Sequence, residues 1–184
     1  MGRAGLTAEI IVDLAMGIVD ESGPEAVTLS AVAARAGVAT PSLYKHVRNL
    51  AELTTLLSIR VMVELGDRAA LSIAGRSGEQ ALRAFARSWR EYAKDHPGRY
   101  AAMIQTARPE LEKEGRRLVD LSLAALRAYG LEGPAAIHAT RCMRAAVHGF
   151  ITLELAGGFG LPVDIDESYE QLLGMVIGGL PEPV

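Results

Sequence analysis

Apolar residues recur at three- and four-residue steps through nearly all of this 184-residue chain. No alternating run long enough for a strand interrupts them, so each segment carries its apolar side chains on one stripe of a helix. Ile10, Ile11, Leu14, Ala15, Ile18 and Val19 form the first stripe, capped by Thr7 and stopped by Gly23-Pro24. A short segment with Leu29, Val32, Ala33 and Ala36 inside ends at Gly37, and Thr40-Pro41 starts another that holds Ser42 to His46. Asn49 followed by Glu52 reads as a capping box before a longer helix with Leu53, Leu56, Leu57, Val61 and Leu65 on its apolar side. Gly75 to Gly78 is a loop, and Leu82, Phe85, Ala86, Trp89, Tyr92 and Ala93 follow as a clean stripe. After His96-Pro97-Gly98 comes a short helix through Tyr100, Met103 and Ile104. Leu118 to Tyr129, Gly133 to Leu155 and Tyr169 to Leu180 complete the chain. The expectation is an all-α protein of about nine helices.

Composition narrows the chemistry. One cysteine excludes a disulfide framework and any multi-Cys metal site. The formal net charge of -3 excludes a globally basic coat, although not a locally basic face. The first twenty residues make a poor signal peptide, because Glu9 and Asp13 cut the apolar stretch. No uncharged run reaches the roughly 18 residues that a spanning helix needs. A cytoplasmic protein with no membrane association is expected.

The residues from Thr28 to Asn49 are two short helices joined by the tight turn Gly37-Val38-Ala39, a helix-turn-helix pattern. Residues 28 to 50 contain Arg35, Lys45 and Arg48 and no Asp or Glu, whereas the first 27 contain Arg3 against five acids. Cations concentrated on one segment of an acidic chain suit phosphate neutralisation, since only the face that meets a duplex must be basic. Thr40 and Ser42 at the start of the second helix can donate to phosphates or base edges. Tyr44 and His46 can donate to phosphate oxygens, and Lys45 can reach a guanine edge or a phosphate. Leu43 and Val47 should face inward.

Residues 6 to 53 resemble the DNA-binding domain of TetR-family transcriptional regulators. The residues that carry the likeness are Val27-Thr28-Leu29, Val32 to Val38, and Thr40-Pro41-Ser42-Leu43-Tyr44-Lys45-His46-Val47. The resemblance implies that Thr28, Thr40, Pro41, Ser42, Tyr44, Lys45, His46 and Arg48 contact the operator. It also implies a lysine at the start of the fourth helix, where this chain has Leu50. Trp89, His96-Pro97-Gly98-x-Tyr100, His148-Gly149-Phe150 and Gly157-Gly158-Phe159-Gly160 resemble the C-terminal domain of a TetR subgroup called the WHG type. On this reading residues 1–48 bind double-stranded DNA at a palindromic operator. Residues 49–184 hold a small-molecule effector and pair two copies, and the helix from 49 connects the two.

The helix from Ala135 to Leu155 is apolar nearly all round from Ala145 onward, so it needs cover on more than one side. A homodimer would supply that cover through Ala145, Gly149, Phe150, Leu153, Tyr169, Leu172, Leu173, Val176 and Ile177 in an isologous four-helix contact. A central buried helix in a monomer is the alternative. Trp89, Tyr92, Tyr100, Met103, Leu121, Ser122, Cys142 and His148 are the candidates to line an effector pocket; core packing is the competing role for each. His138 and Cys142 lie four apart, but nothing supplies a third ligand, so no metal and no cofactor is expected. No catalytic constellation is visible. The leading expectation is a regulator, most simply a repressor released by its effector; the alternative is a non-enzymatic helical carrier of small molecules.

Overall fold

The computed structural model describes residues 5–103, 106 and 108–182. Eight α-helices carry them: α1 (Ala8–Ser22), α2 (Leu29–Ala36), α3 (Leu50–Ile73), α4 (Gly78–Asp95), α5 (Pro97–Ala102), α6 (Glu112–Leu126), α7 (Gly133–Leu155) and α8 (Ile165–Gly178). Thr40–Lys45 forms a six-residue 3-10 helix, and three shorter 3-10 turns cover Pro24–Ala26, Pro109–Leu111 and Arg127–Tyr129. No strand occurs among the described residues. None of their helices is long and apolar enough to cross a membrane. Ile104, expected within the short helix after Pro97, lies outside the described residues.

Local chemistry sets most boundaries. Thr7 Oγ1 accepts from the Ile10 N–H at 3.3 Å and starts α1, and Gly23 at φ +80° ends it, a backbone angle that costs a side chain dearly. Asp164 caps α8 by accepting from the N–H groups of Asp166 and Glu167.

The chain divides into two compact units. The first comprises Met1–Glu64 with His96–Glu114, and the second Leu65–Asp95 with Gly115–Val184. This differs from a division between residues 48 and 49. Helix α3 contributes to both units, and α5 packs in the first.

The physical reason for α5 is a close approach. A Cβ built on Gly98 would lie 2.5 Å from the Val19 carbonyl oxygen, so only glycine lets α5 settle on the end of α1. Arg99, the next residue, donates to both Asp20 oxygens at 2.8 and 2.6 Å and to Glu64 at 3.0 Å. These bonds hold the Asp20 carboxyl below its ordinary pKa, Arg99 being the main cause. Beneath them Ile11, Ala15, Val19, Val32, Leu43, Val47, Leu53, Leu57 and Val61 form the unit's core.

In the second unit α4 packs against α7 and α8. Leu82, Phe85, Ala86, Trp89 and Ala93 are buried along α4, and the Tyr169 hydroxyl donates to the Ala86 carbonyl at 2.7 Å. Arg90 is 7% exposed. It donates to Glu154 at 2.7 and 2.5 Å and to Asp166 at 2.7 Å. Its guanidinium also lies over the rings of Phe150 and Tyr169, 5.6 and 4.8 Å from their centroids. A buried arginine is tolerated when its donors are satisfied in this way. Glu154 and Asp166 hold its pKa well above the usual guanidinium value.

Candidate nucleic-acid interface

The turn between the two short helices is built as its residues dictate. Thr28 caps α2 by accepting from the Ala31 N–H at 3.0 Å. Gly37, at φ +67° and ψ +32°, closes α2, with its own N–H and that of Val38 turned back onto the last carbonyls. Ala39 is extended, Pro41 stands in the first turn of the next element, and the Ser42 N–H reaches the Ala39 carbonyl at 2.9 Å.

The segment expected as a recognition helix is a 3-10 helix. It has three residues per turn, so residues three apart stand one above the other. Three ridges result. Thr40, Leu43 and His46 make the inner one, with Leu43 at 0% exposure and the other two half-buried. Pro41 and Tyr44 make the second, which is open to solvent, Tyr44 being 55% exposed. Ser42 and Lys45 make the third, with Lys45 exposed. Val47 is buried at 1% and anchors the end of the segment. Leu43 and Val47 therefore face inward as their sequence positions suggest, and they fix which ridges face out. The side chains of Tyr44, Lys45 and His46 have no hydrogen-bond partner among the described residues, so their polar groups are available to a ligand. The Thr28 hydroxyl is exposed and keeps its proton available while its oxygen serves the cap.

The arginines behave differently. Arg35 turns back toward α1, where both of its terminal nitrogens donate to Glu21 and its guanidinium lies against Gly17. Glu21 is the main cause of its raised pKa. Arg35, expected among the DNA-contacting residues, thus ties α2 to α1. Sequence reasoning missed this because the pairing acid lies fourteen residues upstream, in a segment read only for its contrasting charge. Arg48 is 83% exposed in its side chain and donates through Nε to Glu52 at 3.2 Å. Glu52 also accepts from the Arg48 backbone N–H at 2.5 Å, and the Asn49 side chain accepts from the Glu52 N–H at 2.9 Å. The expected capping box is present in a shifted form, with Glu52 reaching Arg48 rather than Asn49. These bonds hold the Glu52 carboxyl below its ordinary pKa, the backbone N–H of Arg48 first among them. Leu50 opens α3 and is 40% exposed.

The residues expected around an effector fall in both units. Trp89 and Tyr92 are buried on α4, and Leu121, Ser122 and His148 are partly buried, all in the second unit. Tyr100 and Met103 are buried in the first unit. Cys142 is exposed. Helix α7 buries Ala136, Thr140, Met143, Val147 and Ile151, and at 100° per residue Cys142 stands on the far side of that stripe. Burial pushes the His148 imidazole below its ordinary pKa, and Arg144 adds to the shift. Thr140 Oγ1, absent from the sequence expectations, is buried with no hydrogen-bond partner among the described residues. A cleft of about 490 Å³ in this unit is lined by charged groups, Arg87, Arg90, Lys94, Asp166, Glu167 and Glu170 among them, and by none of the expected pocket residues.

The nine dimer candidates also separate. Tyr169, Leu173 and Ile177 are buried in the core of their own unit. Phe150 is half-buried against Phe159 and Tyr169, with ring centroids 4.8 and 5.0 Å away. Ala145 and Leu153 are exposed, and Gly149, Leu172 and Val176 are half-buried. Met175, 69% exposed on α8, was not anticipated.

Residues 11–53 match the model of bacterial regulatory proteins of the tetR family, and residues 82–176 match that of the tetracyclin repressor-like C-terminal domain. The chain is 33% identical over 180 residues to the HTH-type transcriptional regulator YobS of Bacillus subtilis, spanning 97% of this chain and 94% of that protein. An HTH-type transcriptional regulator of Mycobacterium tuberculosis is 32% identical over 181 residues, 96% of this chain and 83% of its own length. In fold, the chain resembles TetR from Acinetobacter baumannii, solved in complex with minocycline. The TM-score is 0.76 at 22% identity, covering 95% of this chain and 96% of that one.

Proposed function

The chain belongs to the tetR family of bacterial regulatory proteins, and from that premise we propose that it acts as a homodimeric repressor that leaves a palindromic operator when a small effector binds. It is a DNA-binding transcriptional regulator. The observation that carries the finer reading is the pair of outward ridges on the 3-10 helix. Pro41, Tyr44 and Lys45 are exposed, with Ser42 half-buried beside them, because Leu43 and Val47 are buried. Such a ridge places a phenol, a hydroxyl and an ammonium together, donors suited to phosphate oxygens and to guanine or adenine edges. Arg48 and Thr28 flank it.

Two copies are needed because one short element reads only a few base pairs. A dimer sets two of them about 34 Å apart, one turn of the duplex. The outward side of α7, with Ala145, Gly149 and Leu153, together with Leu172, Val176 and Met175 on α8, is the face we assign to the second copy. Gly149 favours close packing there, since beyond its own stretch of helix nothing among the described residues lies within 4 Å of an added Cβ. The effector is assigned to the second unit, among Trp89, Tyr92, Leu121, Ser122 and His148, with Thr140 Oγ1 as an unused polar group for it. Effector and operator then favour different states of the dimer, and each weakens the other's binding by the same factor.

Selection from a random duplex pool tests this. Wild type should enrich a palindrome with half-sites about one helical turn apart. Tyr44→Ala should lose the shift while melting as wild type does, since its ring is more than half exposed. No enriched palindrome, or equal binding by Tyr44→Ala, rejects the proposal.

A further inference from the structure

The segment from 28 to 50 carries no acid of its own, yet both of its arginines meet one. Glu21 comes from α1 and Glu52 from α3. The two pairs differ in how firmly the cation is held. Arg35 uses two nitrogens on one carboxylate and rests on Gly17. Arg48 offers only Nε to Glu52, at 3.2 Å, and its side chain is 83% exposed.

The carboxylate in this second pair is the better anchored partner. Glu52 Oε2 accepts from the Arg48 backbone N–H at 2.5 Å, and its own N–H is taken by Asn49. It also sits in the first turn of α3, where the helix dipole favours a negative charge. A phosphate that draws the Arg48 guanidinium away therefore leaves Glu52 with a backbone partner. The exchange breaks one long charge-assisted bond and orphans nothing.

Resting on the DNA-binding reading above, we propose that Glu52 is an intramolecular competitor for phosphate at Arg48, a brake that lowers affinity for DNA of any sequence and lets Arg48 engage only where the operator holds a phosphate in place. With Glu21 and Glu52 both engaged, Lys45 is the only cation between residues 28 and 50 that has no ion pair among the described residues. Sequence-independent attraction, which scales with the number of phosphates neutralised, is correspondingly small.

The test is the salt dependence of binding to a mixed-sequence duplex of roughly 30 base pairs, about three helical turns, by full-length wild type, Glu52→Gln, Arg48→Gln and the double variant. Glutamine at 52 keeps an oxygen for the Arg48 N–H and removes the charge. Each phosphate contact adds about 0.9 to the slope of log affinity against log salt. Glu52→Gln should bind more tightly, with a slope steeper by about one per recognition element. Its ratio of affinities between about 50 and 200 mM salt should then grow by roughly 3.5-fold per element. In the Arg48→Gln background the same change should be silent. An equal gain in both backgrounds, or none in either, overturns the brake. Arg48→Gln leaves the cap intact and covers the case in which Glu52→Gln does not fold. Its slope should match wild type, and a flattening by about one per element refutes the proposal. If wild type binds no duplex at any salt concentration, the DNA-binding reading fails, and this inference falls with it.

Discussion

Replacing Gly98 with alanine isolates the contact on which α5 rests. A Cβ there would stand 2.5 Å from the Val19 carbonyl oxygen and 3.3 Å from Val19 Cγ1, while real Cβ contacts essentially never fall under 3.0 Å. The gap must therefore open by at least 0.5 Å, the difference between 3.0 and 2.5 Å. The carbonyl cannot turn aside freely, because it accepts the Gly23 N–H at 2.9 Å and so closes α1. Helix α5 has to move instead, stretching the Arg99 bonds to Asp20. Overpacking of this kind costs about 1–3 kcal/mol. Alanine's helix preference returns up to about 1 kcal/mol. At full return the net loss is about 0–2 kcal/mol, which in a chain of this length lowers the melting temperature by up to roughly 8 °C. Gly115→Ala is the control. It lies in α6 with nothing within 4 Å of the added Cβ, so the helix preference acts alone and the melt should rise by about 2–4 °C. Far-UV circular dichroism melts of the three proteins decide it. If Gly98→Ala rises as far as Gly115→Ala, the close approach does not govern how α5 docks.

Three further outcomes are expected. His148 is held below its ordinary pKa of 6.5, so the unfolded chain takes the proton first; its contribution is complete above that value and is lost as pH falls through the lower folded value. Urea midpoints for wild type and His148→Gln should therefore converge as pH drops from about 7 to about 5, and a constant difference would dismiss the assignment. Arg90→Met leaves Glu154, whose side chain is 12% exposed, without its main cation, at a cost on the order of 3 kcal/mol; adding Glu154→Leu should recover most of the lost melting temperature. Leu153→Glu alters a side chain that is 52% exposed, so the fold should persist by circular dichroism while sedimentation shows single copies and operator affinity falls at least tenfold; a dimer that survives the change would place the contact face elsewhere.

What the sequence made legible was chemistry confined to a few neighbouring residues. Thr7, Thr28 and Gly37 each act within one turn, so the caps and the left-handed stop could be read directly, whereas Thr40, expected as the cap beside Pro41, lies inside the next segment, whose N-cap is Ala39 with no side-chain cap. Long stripes such as Leu53 to Leu65 located α3 for the same reason. The 3-10 geometry of Thr40–Lys45 was not legible, because six residues are too few to distinguish a period of three from 3.6. Nor was the far side of α7. Periodicity separates two faces of a helix, but it does not say which neighbour covers each. Cys142 therefore read as a pocket residue, and Tyr169, Leu173 and Ile177 read as contact residues when their own unit buries them. The ties of Arg35 and Arg90 join residues 14 and 64 positions apart to their acids, separations at which sequence carries no signal of pairing.

A three-sided rod obeys different rules of editing from a round one. Adding one residue between Pro41 and Ser42 would swing every later side chain by a third of a revolution, bringing Leu43 out to the ridge that Tyr44 held and turning Lys45 into the protein. Adding three would restore the orientation and slide the reading edge by about 6 Å, close to two base-pair steps. In the proposed interface, operator preference then depends on the length of that stretch as well as on its letters, and insertions in repeats of three keep its outward ridges outward.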